Sequence, residues 1–184
     1  SHILCGASMA IKYDEIPLNP GFHLYIPVFQ KVIIVDTKVR LLNYRSVEEM
    51  SGFDSGIKIN PAINILDARG LPVSIELTVQ YRLTASGAPS TIANWGLSWE
   101  DKIVNPVVRN VVRNVVGGFN AEDLPTKRNE IATLIEQGIR GQIENLEAKP
   151  VSIESVQLRE IVLPAKIKEQ IERVQIANQE SERV

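Results

Sequence analysis

Cysteine is almost absent from this sequence. Cys5 stands alone among 184 residues, which excludes an intrachain disulfide. Histidine is nearly as scarce, with His2 and His23 only. A metal site takes about four converging ligands, or three and a water, and no second His or Cys lies near His23 in the chain. No metal is expected, and His23 reads as a packed or hydrogen-bonded structural residue. A Ser-His-acid hydrolase would have to draw on that same His23, with no G-x-S-x-G elbow to support it. No catalytic residue and no cofactor are expected. Long apolar runs are missing too. Stretches such as Val32-Ile33-Ile34-Val35 reach only four residues, against the roughly 20 that span a bilayer, so no transmembrane helix and no signal peptide are expected. Charge of one sign is also lacking. The 20 Lys and Arg interleave with 22 Asp and Glu for a net charge of −2, whereas a phosphate backbone calls for clustered cations. Nucleic acid is excluded as a partner.

What is present suits one ordinary α/β (α+β) domain with an appended element. The opening Ser1–Ser8 fits none of the periodic patterns downstream and ends at Met9, so residues 1–10 are expected to be an expression scar. From Leu71 to Thr84, Val73, Ile75, Leu77, Val79, Tyr81 and Leu83 alternate with polar residues, which predicts a long strand with one wet face. Lys31–Asn43 and Ile57–Leu66 are predicted as further strands, with Pro61 marking an edge or bulge. Asp67-Ala68-Arg69-Gly70 is the hairpin joining the last of these to the alternating strand. A fourth strand is predicted from Val151 to Leu163, with a bulge or bend where its apolar face switches between Ile153 and Val156.

Between the third and fourth strands the period becomes helical. A short helix is predicted at Pro89–Trp95 and another start at Trp99–Val104, followed by Asn105 as an N-cap with Pro106 in the first helical position. Valine pairs then recur every four residues, stacking on one face as far as Gly117-Gly118. Arg109 and Arg113 fall on the other face, where solvent or acidic neighbours are the plain reading and anionic lipid the sharper one. A further helix runs from Thr126 to Leu146 with Ile131, Ile135, Ile139 and Ile143 in register. Its two glycines, Gly138 and Gly141, each cost about 1 kcal/mol relative to alanine, so some close contact is expected to compensate them, with the sheet or with a neighbouring subunit, by default within the subunit.

Pro164 ends the domain in this reading. Residues 164–184 form the start of a coiled-coil helix, because Ile167, Ile171, Val174, Asn178 and Ser181 are spaced four, three, four, three. A helix with an apolar seam and no core to meet it needs a partner chain.

Several segments resemble the SPFH (band 7) family of stomatins, prohibitins and flotillins, with bacterial prohibitin-like or stomatin-like members nearest in character. They are Pro20-Gly21-Phe22-His23-Leu24-Tyr25-Ile26-Pro27, Arg69-Gly70-Leu71-Pro72-Val73 leading to Val79-Gln80-Tyr81-Arg82, Phe119–Leu124 ahead of Arg128-Asn129-Glu130, and Val156–Pro164 before the heptads. The likeness is collinear over about residues 16 to 184. It implies a domain at 11–163 with a mainly antiparallel, curved sheet packed by helices. It further implies a non-enzymatic scaffold beside a membrane, assembled as a homo-oligomer through its C-terminal helices, with membrane proteases, channels or lipid patches as clients. The alternative is a soluble ring or shell protein with a domain similar to a vault shoulder. The family's usual hydrophobic anchor does not occur before Pro20, so membrane attachment is expected from an N-terminal segment outside this sequence and the chain itself is expected to be soluble. The stretch Arg45–Gly56 is longer than the family's usual turn.

Two sets of site residues follow. Leu24, Tyr25, Ile26, Pro27, Val28 and Phe29 read either as a membrane-proximal loop or as a short extended segment with alternate residues in the core. Ile167, Ile171, Val174, Asn178 and Ser181 are the candidate seam.

Overall fold

The computed structural model describes residues 2–7, 12–13, 16–46, 57–147 and 149–181, which hold two sheets and four α-helices. Strands β1 (His2–Ala7), β2 (Lys12–Tyr13) and β3 (Gln30–Val35) form a small antiparallel sheet in the order β2-β1-β3. The segment set aside at the start of the chain thus pairs along its length with β3, from His2 against Val35 to Ala7 against Gln30. The main sheet holds β4 (Arg40–Arg45), β5 (Ile57–Pro61), β6 (Ile63–Leu66), β7 (Pro72–Leu83) and β8 (Val151–Val162). Its order is β5-β4-β7-β6, with β8 on the other side of β7. The sheet is mixed rather than antiparallel throughout, because β4 and β5 run parallel. Most of the long segment Arg45–Gly56 that joins them lies outside the described residues.

The strand predicted over Lys31–Asn43 is two strands in two sheets. Asp36 divides them, its Oδ1 accepting the Lys38 N–H at 3.0 Å in a tight local turn. Ile57–Leu66 likewise splits at Ala62, with Pro61 ending edge strand β5 as its missing N–H requires. The hairpin at Asp67–Gly70 closes as expected, with Gly70 at a positive φ of 82°.

β7 is the centre of the domain. Val73, Ile75, Leu77, Val79, Tyr81 and Leu83 are all buried, and α1 (Ala88–Trp95), α2 (Asn105–Val116) and α3 (Arg128–Ile143) contribute Ile92, the valines and the isoleucine row to the same core. The face expected to be wet is partly buried as well. Glu76 accepts the Ser46 N–H at 2.9 Å and Thr78 donates to Asn43 Oδ1 at 2.7 Å, so these polar groups are satisfied rather than solvated.

Asn105 does not cap α2. A π-turn over Glu100–Val104 runs straight into the helix, and the Asn105 N–H bonds the Glu100 carbonyl, five residues back. Pro106 has no N–H to give Lys102, which favours the wider turn, and the π-turn supplies acceptors for the N–H groups a cap would serve. The glycine after α2 is set by crowding: a Cβ on Gly117 would lie 2.8 Å from the Arg113 carbonyl oxygen and 3.7 Å from that of Leu66.

Candidate interaction surfaces

From Ile16 to Gln30 the chain carries no Asp, Glu, Lys or Arg. Its last five residues close a turn. Phe29 and Gln30 both donate to the Ile26 carbonyl, at 3.0 and 2.8 Å, and Gln30 Oε1 accepts the Ile26 N–H at 2.9 Å. His23 Nε2 lies 2.7 Å from the Asn19 carbonyl oxygen, a hydrogen-bonded structural histidine. The segment turns its apolar side chains outward. Phe22 is 91% exposed and Leu24 89%, and Tyr25, Ile26, Pro27, Val28 and Phe29 are exposed with them. Alternate burial, one of the two expectations for this stretch, does not occur. Ile34 on β3 is also exposed, while Ile33 packs on the core and Val35 is buried.

A second group of residues, which sequence reasoning missed, fixes the helices to the sheet. The buried Tyr44 hydroxyl donates to Asn105 Oδ1 at 2.7 Å, and Arg109 Nε donates to the same oxygen at 3.0 Å with its guanidinium 5.4 Å from the Tyr44 ring centre. Burial raises the Tyr44 phenol well above its ordinary range, so it is a fixed donor. Arg109 is thereby a packing residue, and Arg113 is exposed. Beside it Arg40 pairs with Glu100 and Lys58 with Asp101. A cleft of about 140 Å³ lined by Arg40, Lys58, Tyr81 and Glu100 lies there, with its cations held by the chain's own carboxylates. Asp67 does similar work at the hairpin. Its Oδ1 accepts Arg69 and Leu71 N–H and its Oδ2 accepts Ala121 N–H, at 2.7 to 2.8 Å. Burial raises its pKa, but the three backbone bonds outweigh that and hold the carboxyl below the ordinary aspartate value. The signal was available: Asp at the head of a turn before Gly is the residue that hydrogen-bonds its own backbone two residues on.

β8 carries two bulges. Glu154 is the extra residue between Ser155, opposite Gln80, and Ile153, opposite Tyr81, and Arg159 is the extra residue between Leu158 and Glu160. The first falls where the apolar face was predicted to switch. Each bulge is held by one α3 arginine: Arg140 donates to the Ile153 and Glu154 carbonyls, and Arg128 to those of Leu158 and Arg159. Glu136 and Glu144 in turn hold Arg140 at 2.9 and 3.2 Å. The outer edge of β8 is therefore satisfied by side chains at its irregular points, a standard protection of an edge.

α4 (Ala165–Ser181) follows directly. Its seam does meet a core. Ile167 is buried in the domain and Ile171 packs partly against it, so the core runs past Pro164; Val174 and Asn178 are exposed, and no coiled coil is seen. The cause is the short link at Leu163-Pro164, which keeps the first turns of the helix on the sheet. Clefts of about 620 and 370 Å³ flank α4, the first against Glu122 and Thr126, the second against Pro125 and Glu160–Leu163.

Among the described residues no group of three or more His, Cys, Asp or Glu could hold a metal ion, and no helix is long and apolar enough to cross a membrane. An uncharged apolar loop at one end and a half-anchored amphipathic helix at the other define a domain whose distinctive surfaces are suited to contact. The comparisons name it more closely. The sequence profile described as "SPFH domain / Band 7 family" matches residues 8–184, and the chain belongs to that family. It is 23% identical over 184 residues to Prohibitin-1 of Schizosaccharomyces pombe, covering 97% of this chain and 58% of the relative. It is 27% identical over 173 residues to Prohibitin-2 of Gallus gallus, covering 94% and 50%, and to Prohibitin-2 of Mus musculus, covering 94% and 51%. The chain thus spans about half the length of the curated relatives it matches.

Proposed function

We propose that this chain is the membrane-facing domain of a non-enzymatic, homo-oligomeric scaffold. The observation that carries the proposal is the segment from Ile16 to Gln30: uncharged, with a turn closed at Ile26–Gln30 and its apolar side chains in solvent. A contiguous exposed apolar patch marks a membrane or protein contact, and Phe and Tyr around a proline suit the bilayer interface, where an aromatic ring finds apolar chains and polar headgroups together. The family membership supports the same reading, and α4 with its partly exposed seam supplies a site for assembly. Membrane proteins or lipid patches gathered by the assembly are its clients in this account.

The test is flotation with vesicles. Because the segment has no cation, binding is expected to neutral and anionic vesicles alike and to persist in high salt, where electrostatic adsorption would be screened. Absence of flotation with either lipid would favour the soluble shell reading instead.

A further inference from the structure

The stretch from Ile16 to Gln30 holds no Asp, Glu, Lys or Arg, yet it does hold His23. Of the side-chain types in it, only histidine changes charge between pH 5 and 8. His23 is exposed and stands between Phe22 and Leu24, which at 91% and 89% are the most exposed large apolar residues among those described. Any surface that meets those two side chains meets the imidazole as well.

One hydrogen bond places the ring. Nε2 lies 2.7 Å from the Asn19 carbonyl oxygen, and because a carbonyl only accepts, Nε2 carries the hydrogen. Nδ1 is then the nitrogen left to take a second proton, and the Asn19 bond survives that step because an imidazolium donates from both nitrogens. Protonation therefore changes the charge of the loop while keeping the bond that orients the ring. Charged residues flank the stretch in sequence, Asp14 and Glu15 before it and Lys31 after it. Among the described residues, no carboxylate and no cation is in hydrogen-bond or ion-pair contact with His23.

We infer that His23 makes the membrane contact selective for anionic lipid in acid and indifferent to lipid charge above neutrality. The inference rests on the scaffold reading above and adds what sets its lipid preference. Two effects of opposite sign follow from one proton. An uncharged imidazole suits the headgroup region, as do the aromatic rings of Phe22 and Tyr25 beside it. An imidazolium resists leaving water for an apolar surrounding, so contact with a neutral bilayer weakens. At an anionic surface the same charge is attracted to the headgroups, and one cation there raises affinity about fivefold. With no fixed charge from Ile16 to Gln30, this proton decides the sign of the whole stretch.

The test is flotation of the whole chain with neutral and with anionic vesicles at about pH 7.5 and about pH 5, either side of the histidine range. Wild type is compared with His23→Gln, which keeps a donor for Asn19 and cannot charge, and with His23→Lys, which is charged throughout; circular dichroism at both pH values checks folding. The ratio of anionic to neutral binding by the wild type is expected to rise about fivefold or more on acidification. His23→Gln is expected to lack that rise, and the comparison subtracts whatever His2 and the chain's carboxylates contribute. His23→Lys is expected to show the raised ratio already at the higher pH. Should either variant fail to fold, the other carries the test. Equal pH responses in wild type and His23→Gln overturn the inference and leave the scaffold reading standing, as does a His23→Lys ratio equal to that of wild type at the higher pH. Absence of flotation with both lipids at the higher pH removes the contact itself, and the scaffold reading falls together with the inference.

Discussion

The strand β7 and the segment Ile16–Gln30 are both rich in apolar residues and put them to opposite use. In β7 every second side chain, from Val73 to Leu83, is buried, and polar residues between them find partners on neighbouring strands, Thr78 with Asn43 of β4 and Ser74 with Asn64 of β6. In the amino-terminal segment the chain closes a turn at Ile26–Gln30 and the apolar side chains face solvent. The difference lies in pattern rather than content. Strict alternation with neighbours on both sides makes a core strand, while apolar residues bunched around prolines and a four-residue turn have no common face to bury. α4 lies between the two cases, with Ile167 in the core and Val174 outside it.

Substitutions that break this contrast should rank by burial. Leu77→Ala removes a fully buried side chain from the centre of β7 and is expected to cost about 2 to 5 kcal/mol in denaturant titration. Asp67→Asn comes next, at about 1 to 3 kcal/mol near neutral pH, since it replaces an acceptor of three backbone N–H groups by an amide. The sign of its pH dependence is fixed. The folded carboxyl titrates below the ordinary 3.8, so its stabilisation is complete above that value and is lost as pH falls through the folded pKa; wild type and variant should converge in acid melts.

The two glycines of α3 sharpen the comparison within one helix. A Cβ on Gly138 would stand 2.7 Å from Val111 Cγ1 at the crossing with α2, whereas one on Gly141 would meet nothing within 4 Å. Gly138→Ala is expected to destabilise by about 1 to 3 kcal/mol through overpacking. Gly141→Ala is expected to stabilise by about 0.5 to 1 kcal/mol through helix propensity. Paired thermal melts distinguish them, and equal effects of the same sign would contradict the packing described.

The sequence made β7, the α3 isoleucine row and the first β8 bulge legible because each is a local pattern with a fixed period or a visible break in it. The division of Lys31–Asn43 between two sheets was not legible, since aliphatic residues stand on both sides of Asp36, Val32–Val35 before it and Val39, Leu41 and Leu42 after it, and only the pairing partners differ. Asn105 looked like a cap because Asn-Pro commonly is one, but the missing N–H of Pro106 equally favours the π-turn that replaced it, beside which Trp99 packs edge to face on Tyr81 at 5.9 Å. Of the surfaces, the residues from Leu24 to Phe29 could be singled out by composition, but their direction could not, because short extended segments have no periodicity long enough to fix a face. Glu122 and Thr126 carried no signal at all. They line a cleft only because the fold brings the α2–α3 connection beside α4.

The most direct test of the central claim is to replace Leu24 and Phe29 together by serine and measure both stability and vesicle flotation on the same protein. Because neither side chain is buried, the account expects unfolding free energy to change by no more than about 0.5 kcal/mol while flotation is lost. A core-sized loss of stability with flotation unchanged would contradict it, placing these side chains inside the domain and the membrane contact elsewhere.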